Sequence, residues 1–151
     1  MSPIGSQLVG VWELVSYVDE QDGRENRYPL GAKPEGFLIY TPDGFVSAQL
    51  MKPGRAMFRS HDWLGGTAEE YQESGRGYIA YCGRYEVDEE KRTVAHIPSV
   101  ALLPNLIGGR HLRSVTLCEG KLTLCAMEAS TISRLEWRKV GGSRLGIAEV
   151  K

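Results

Sequence analysis

Apolar residues recur at every second position along most of the chain, the signature of half-buried strands. Residues 8–18 place Trp12, Leu14, Ser16 and Val18 on one face, with Glu13 on the other. Asp22-Gly23 signals a turn, a short strand reaches Tyr28, and Pro29 and Gly31 break the pattern. Residues 36–41 and 45–51 are strand-like runs around Pro42-Asp43-Gly44, which suits a type I turn with a left-handed Gly44. Setting Thr41 opposite Phe45 pairs Tyr40 with Val46, Ile39 with Ser47 and Phe37 with Gln49. Which of these two faces lines an interior stays open.

Alternation resumes at Tyr78. Tyr81, Gly83, Tyr85 and Val87 share one face, and Arg84, Glu86 and Asp88 share the other. After the charged turn at 89–92, the return strand carries His96, Pro98 and Val100 on the face of Val94. Val87 opposite Val94 puts Tyr85 opposite His96. Leu103-Pro104-Asn105 and Gly108-Gly109 make a loop. Glu119-Gly120 is a two-residue hairpin turn, which pairs Leu117 with Leu122, Val115 with Leu124 and Arg113 with Ala126. A last strand over 132–139 puts Leu135 and Trp137 inside.

Residues 52–77 lose the alternation. Thr67-Ala68-Glu69-Glu70 reads as a capping box, so a helix of about two turns should follow and end near Gly75 or Gly77. It is the one helix the pattern supports. About eight or nine antiparallel strands joined by short turns close into a barrel, because closure removes the edges. The expected fold is therefore an all-β antiparallel barrel over residues 1–140, with a C-terminal tail over 141–151. A barrel of about eight strands holds side chains only, or one small ligand.

The length of 151 residues gives one domain, and 42% apolar with 25% charged residues is ordinary for a soluble globule. A net charge of −1 argues against a duplex-binding surface, so no nucleic-acid partner is expected. No apolar run approaches the roughly 20 residues of a bilayer span, and the N-terminus lacks a basic, then apolar, leader. A cytoplasmic protein without a membrane partner is expected. Three cysteines, Cys82, Cys118 and Cys125, without CxxC spacing suit free thiols rather than disulfides or zinc. Whether the chain is a monomer or a homodimer stays open.

Arg113 is the clearest oddity. It shares a face with Val115, Leu117, Leu122, Leu124 and Ala126, and a guanidinium is costly to bury unpaired. Either it reaches the barrel mouth, where water or Glu128 satisfies it, or it clamps a carboxylate, enolate or carbonyl oxygen. His96 opposite Tyr85, with Tyr81 nearby, is either a core histidine bonded to a tyrosine or an acid/base pair. Ser47 and Gln49 on one face, or Tyr40 on the other, would add polar groups to an apolar wall. Trp12 and Trp137 would supply that wall. Phosphate-loop, dinucleotide and serine-hydrolase patterns are missing, and the histidines lack metal-ligand spacing. No cofactor and no metal are expected.

Several stretches resemble one family. Leu8-Val9-Gly10-Val11-Trp12-Glu13-Leu14-Val15-Ser16-Tyr17 is similar to its opening strand. Tyr28-Pro29-Leu30-Gly31, Gly36-Phe37-Leu38-Ile39-Tyr40-Thr41-Pro42-Asp43-Gly44 and Ser47-Ala48-Gln49-Leu50-Met51 follow in the family's order. Gly83-Arg84-Tyr85-Glu86-Val87-Asp88 and Leu103-Pro104-Asn105 complete the match. This is the lipocalin-like domain family of small bacterial and fungal proteins. The resemblance implies a compact antiparallel barrel around a ligand-sized interior, and for some members cofactor-free cyclisation or isomerisation of polyketide or terpenoid intermediates. The family pattern carries a second histidine after His96, an acidic residue two further on, and an aromatic after Pro-Asn. Here those positions hold Ile97, Ser99 and Leu106, which favours a more hydrophobic ligand.

Three functions compete on these grounds: a cofactor-independent cyclase or isomerase of a small, largely apolar metabolite, a non-catalytic carrier of such a metabolite, and an interaction module with a dry, filled barrel. The enzyme reading makes Arg113, His96 and Tyr85 catalytic. Tyr81, Tyr40, Ser47, Gln49, Trp12, Asn105 and Trp137 would then contact the substrate.

Overall fold

A computed structural model describes residues 3–141. The expected tail lies, from 142 onward, outside the described residues. Eight strands form one closed antiparallel barrel in sequence order. They are β1 (Gly10–Gln21), β2 (Glu35–Tyr40), β3 (Phe45–Met51), β4 (Tyr78–Asp88), β5 (Thr93–Ala101), β6 (His111–Cys118), β7 (Lys121–Glu128) and β8 (Thr131–Lys139). β1 pairs with β8 to close the ring.

The turn chemistry fixes the registers. Gly44 sits at φ 96°, and Thr41 and Phe45 bond across the β2–β3 turn. Tyr40 therefore pairs with Val46, and Phe37 with Gln49, as the pattern required. Glu119 and Gly120 both take positive φ, the geometry of a tight hairpin, and Leu117 meets Leu122 while Val115 meets Leu124. The expected Arg113–Ala126 pair is not formed, because that ladder starts at Ser114 and Cys125. Arg113 instead faces Val94 on β5.

Two irregularities overturn face assignments. A register shift between Leu14 and Ser16 turns β1 over, so Tyr17 pairs with the inward Leu135 while Ser16 pairs with the outward Glu136. Ser16 and Val18 thus leave the face of Trp12 and Leu14, and Tyr17 and Asp19 take it. A second shift, between Cys82 and Gly83, puts Val100 opposite Cys82, and Val100 is exposed. The short strand expected near Tyr28 is a single bridge between Asp19 and Arg27.

The helix expected after Thr67 is present as α2 (Ala68–Arg76), with both halves of its capping box made. A five-residue helix, α1 (Ile4–Leu8), which the alternation did not predict, precedes β1. Its Ile4 and Gly5 N–H groups donate to the Glu89 carboxylate at 2.7 and 2.9 Å, and its buried Ile4 and Leu8 seal the barrel end holding the β4–β5 turn. Above them the core runs through Trp12, Val46, Val94, Val115 and Leu122. The opposite end is left to α2, to the connection carrying the buried Leu30, and to a 3-10 turn over Pro104–Leu106.

Candidate functional site

Cross-strand pairing decides which side chains look inward. Ala48 pairs with Tyr81, Leu50 with Ile79, Tyr85 with His96, and Val94 with Arg113. Of these, Ala48, Leu50, Ile79, Tyr81, His96 and Arg113, with Tyr17, Leu38, Leu124, Leu135 and Trp137, line a cavity of about 220 Å³. Side chains therefore do not fill the barrel completely.

The polar centre of this space is His96, only 1% exposed. Tyr40 Oη lies 2.6 Å from its Nε2, and Tyr81 Oη lies 2.6 Å from its Nδ1. Burial first, then the charge of Arg113 and the nearby His111, lower the imidazole pKa to about 3. The ring is neutral at pH 7, so it has one N–H and one lone pair. One tyrosine donates to it, and the other accepts and keeps its own proton. Tyr40 is fully buried, and among the described residues its hydroxyl has no partner but His96. An unspent proton there would be costly. Tyr40 therefore donates to Nε2 and Nδ1–H donates to Tyr81, which leaves the proton of Tyr81, a residue of the cavity wall, free of His96. Burial holds both phenols neutral by raising their pKa values.

Arg113 stands beside this chain. Its half-buried guanidinium donates to the Leu112 carbonyl at 3.2 Å. Among the described residues it makes no salt bridge. Glu128 lines the same cavity but forms no ion pair with it. The buried carboxylate in the region, Asp19, accepts from Ser133 Oγ at 2.6 Å and lies 3.8 Å from Arg27. Arg113 is thus a cation on the cavity wall with no carboxylate in direct contact among the described residues. Burial and then the charge of Asp19 raise the Tyr17 phenol above its ordinary pKa.

Tyr85 does not join the site. Although it is the ladder partner of His96, its hydroxyl donates to the Thr41 carbonyl at 2.7 Å, and its ring packs edge-on against Tyr40. Ser47 and Gln49 lie on the outer face, since Val46, Ala48 and Leu50 take the inner one. Gln49 there accepts a bond from Tyr78. Asn105 is exposed in the 3-10 turn and borders neither the cavity nor the cleft beside it. Trp12 lies at the sealed end, donating to the Leu8 carbonyl at 2.8 Å beneath Lys139. Trp137 does line the cavity, with its indole nitrogen buried and without a hydrogen-bond partner among the described residues. Tyr17 and Ser133 line it too, and sequence reasoning missed them. Nothing in the alternation of β1 marks the shift that turns Tyr17 inward.

A second hollow of about 510 Å³ adjoins the first at the open end, between the start of β4, the end of α2 and the 3-10 turn. The two share Ile79, Tyr81 and Arg113. Among the described residues no cluster of three or more histidine, cysteine or carboxylate side chains could hold a metal ion, and no helix is long and apolar enough to cross a membrane.

Residues 9–141 match the model of the lipocalin-like domain. The chain is also 33% identical over 107 residues to the 4'-hydroxy-3'-methoxypropiophenone carrier protein of Aspergillus oryzae, covering 63% of this chain and 96% of that protein. No solved structure matches.

Proposed function

Because the chain belongs to the lipocalin-like domain family, we propose that it is a small-molecule carrier that holds an oxygen-bearing aryl ketone in the barrel and releases it unchanged. The observation that carries this reading is Arg113, a cation on the cavity wall that no carboxylate pairs among the described residues. A carbonyl or phenolate oxygen would complete its hydrogen bonding, and the free Tyr81 proton would reach the same oxygen. A cavity of about 220 Å³ suits one substituted ring, since an apolar cavity of about 150 Å³ takes a benzene. The relative is named for a phenolic aryl ketone it carries, which is a molecule of this chemistry. His96 favours carrying over conversion. A pKa near 3 and two committed nitrogens make it a poor base at neutral pH.

A second reading, a cofactor-free cyclase or isomerase, is favoured by the continuous Tyr40–His96–Tyr81 chain. Such a chain could pass a proton to a ligand oxygen held by Arg113. One experiment separates the two. The protein is titrated with 4'-hydroxy-3'-methoxypropiophenone in a calorimeter, and the ligand is then recovered and analysed by mass spectrometry and chromatography. Saturable one-to-one binding with unchanged ligand supports the carrier. A new isomer or ring-closed product formed only with folded protein supports the enzyme, and absence of binding overturns both for this class of ligand.

A further inference from the structure

We infer that the hollow at the open end is the second half of the ligand site and receives an extended apolar chain attached beside the ligand's carbonyl. The inference rests on the carrier reading and adds the shape of the ligand: a ring inside, an oxygen at Arg113, and an alkyl chain outside. Adjacency is the first ground. Ile79, Tyr81 and Arg113 line both spaces, so a ligand whose oxygen sits on the guanidinium lies at the border of the two. Size is the second. The outer space, about 510 Å³, is more than twice the inner 220 Å³. The inner space suits a single ring, and a longer substituent has room in the adjoining outer space.

The lining is the third ground. Pro98, Ala80, Leu102, Leu103 and Leu106 give the cleft an apolar wall, and its charged or titratable groups are Arg113 and His111 on β6 and Tyr78 and Tyr81 on β4. Leu102 and Leu103 remain 52% and 56% exposed, so this apolar surface is not covered by the described chain. The wall is also held in place by the chain's own hydrogen bonds. Leu102 N–H donates to Ala80, Gly108 N–H donates to Pro98, and His111 Nε2 lies 3.1 Å from the Leu106 carbonyl. A pre-formed apolar cleft binds a chain without first having to order itself.

The test is a series of 1-(4-hydroxyphenyl)alkan-1-ones with acyl chains of two, four, six and eight carbons, titrated against the intact protein. Affinity should climb about two- to fourfold per added methylene as the chain fills the cleft. Leu103→Asp, a half-exposed position that leaves the barrel core alone, should flatten that slope, and Leu106→Asp should do the same. Short members that bind while longer ones bind no better, or worse, would overturn the inference and leave the carrier reading standing. No binding by any member would overturn both. A dimer in sedimentation velocity that Leu103→Asp dissociates would assign the cleft to a second copy of the chain and would also overturn it.

Discussion

Tyr40 on β2 and His96 on β5 meet across the barrel, 2.6 Å from phenol oxygen to Nε2, although their strands pair with other neighbours. The strand partner of His96, Tyr85, faces the same interior yet bonds to Thr41 instead. The polar core of the barrel is therefore set by curvature. Closing the sheet brings β2 over β5, and a histidine too buried to be charged bonds to Tyr40 across the barrel and to Tyr81 on the neighbouring β4.

The two tyrosines should not be equivalent. Tyr40→Phe leaves Nε2 without a partner in a fully buried site, which costs about 1–3 kcal/mol. Tyr81→Phe strips Nδ1, but at the cavity wall, where water can replace the hydroxyl. Urea unfolding should rank Tyr40→Phe as the less stable variant and Tyr81→Phe as the one with weaker ligand binding. The reverse ranking would refute the assigned direction of the hydrogen bonds.

Acid should destabilise the fold through His96. Its folded pKa of about 3 lies below the ordinary 6.5 of the unfolded chain. Between those values the unfolded state binds the proton and the folded state does not. The contribution is therefore complete above about pH 6.5 and is lost as pH falls towards 3, at up to about 1.4 kcal/mol per pH unit. His96→Gln removes this component. Unfolding free energies of the wild type and the variant should converge as pH falls from 7 to 4, whereas parallel profiles would count against a neutral, buried imidazole.

Two glycines should respond in opposite directions to alanine. At Gly83 a Cβ would lie 2.2 Å from the Ile97 carbonyl oxygen and 2.7 Å from Pro98 Cα, both backbone atoms of the irregular β4–β5 ladder. Gly83→Ala should cost about 1–3 kcal/mol. At Gly75, inside α2, a Cβ meets nothing within 4 Å, so Gly75→Ala should stabilise by up to about 1 kcal/mol. Thermal melts of the two variants give the comparison directly.

Local pairing was legible in the sequence, and cross-barrel geometry was not. Gly44 and the Glu119-Gly120 turn set registers by counting, so Tyr40–Val46 and Leu117–Leu122 followed from turn chemistry. The inward Arg113 followed too, because it shares the alternation of Val115 and Leu117. Tyr17 did not. The shift after Leu14 carries no glycine or proline to announce it, and one displaced residue exchanges the faces of a strand. Ser47 and Gln49 misled because Phe45 and Met51 make their outer face as apolar as the inner one. The meeting of Tyr40 with His96 depends on closure, which no pairwise ladder contains.

The account turns on Arg113 as the group that binds the ligand's oxygen. The direct measurement is the dissociation constant of 4'-hydroxy-3'-methoxypropiophenone for wild type and Arg113→Met, with circular dichroism confirming that both are folded. Losing a charge-assisted hydrogen bond of about 1.5–3 kcal/mol should weaken binding by roughly ten- to a hundredfold. Equal affinity in the two proteins would contradict the account and make Arg113 a structural residue of the barrel mouth.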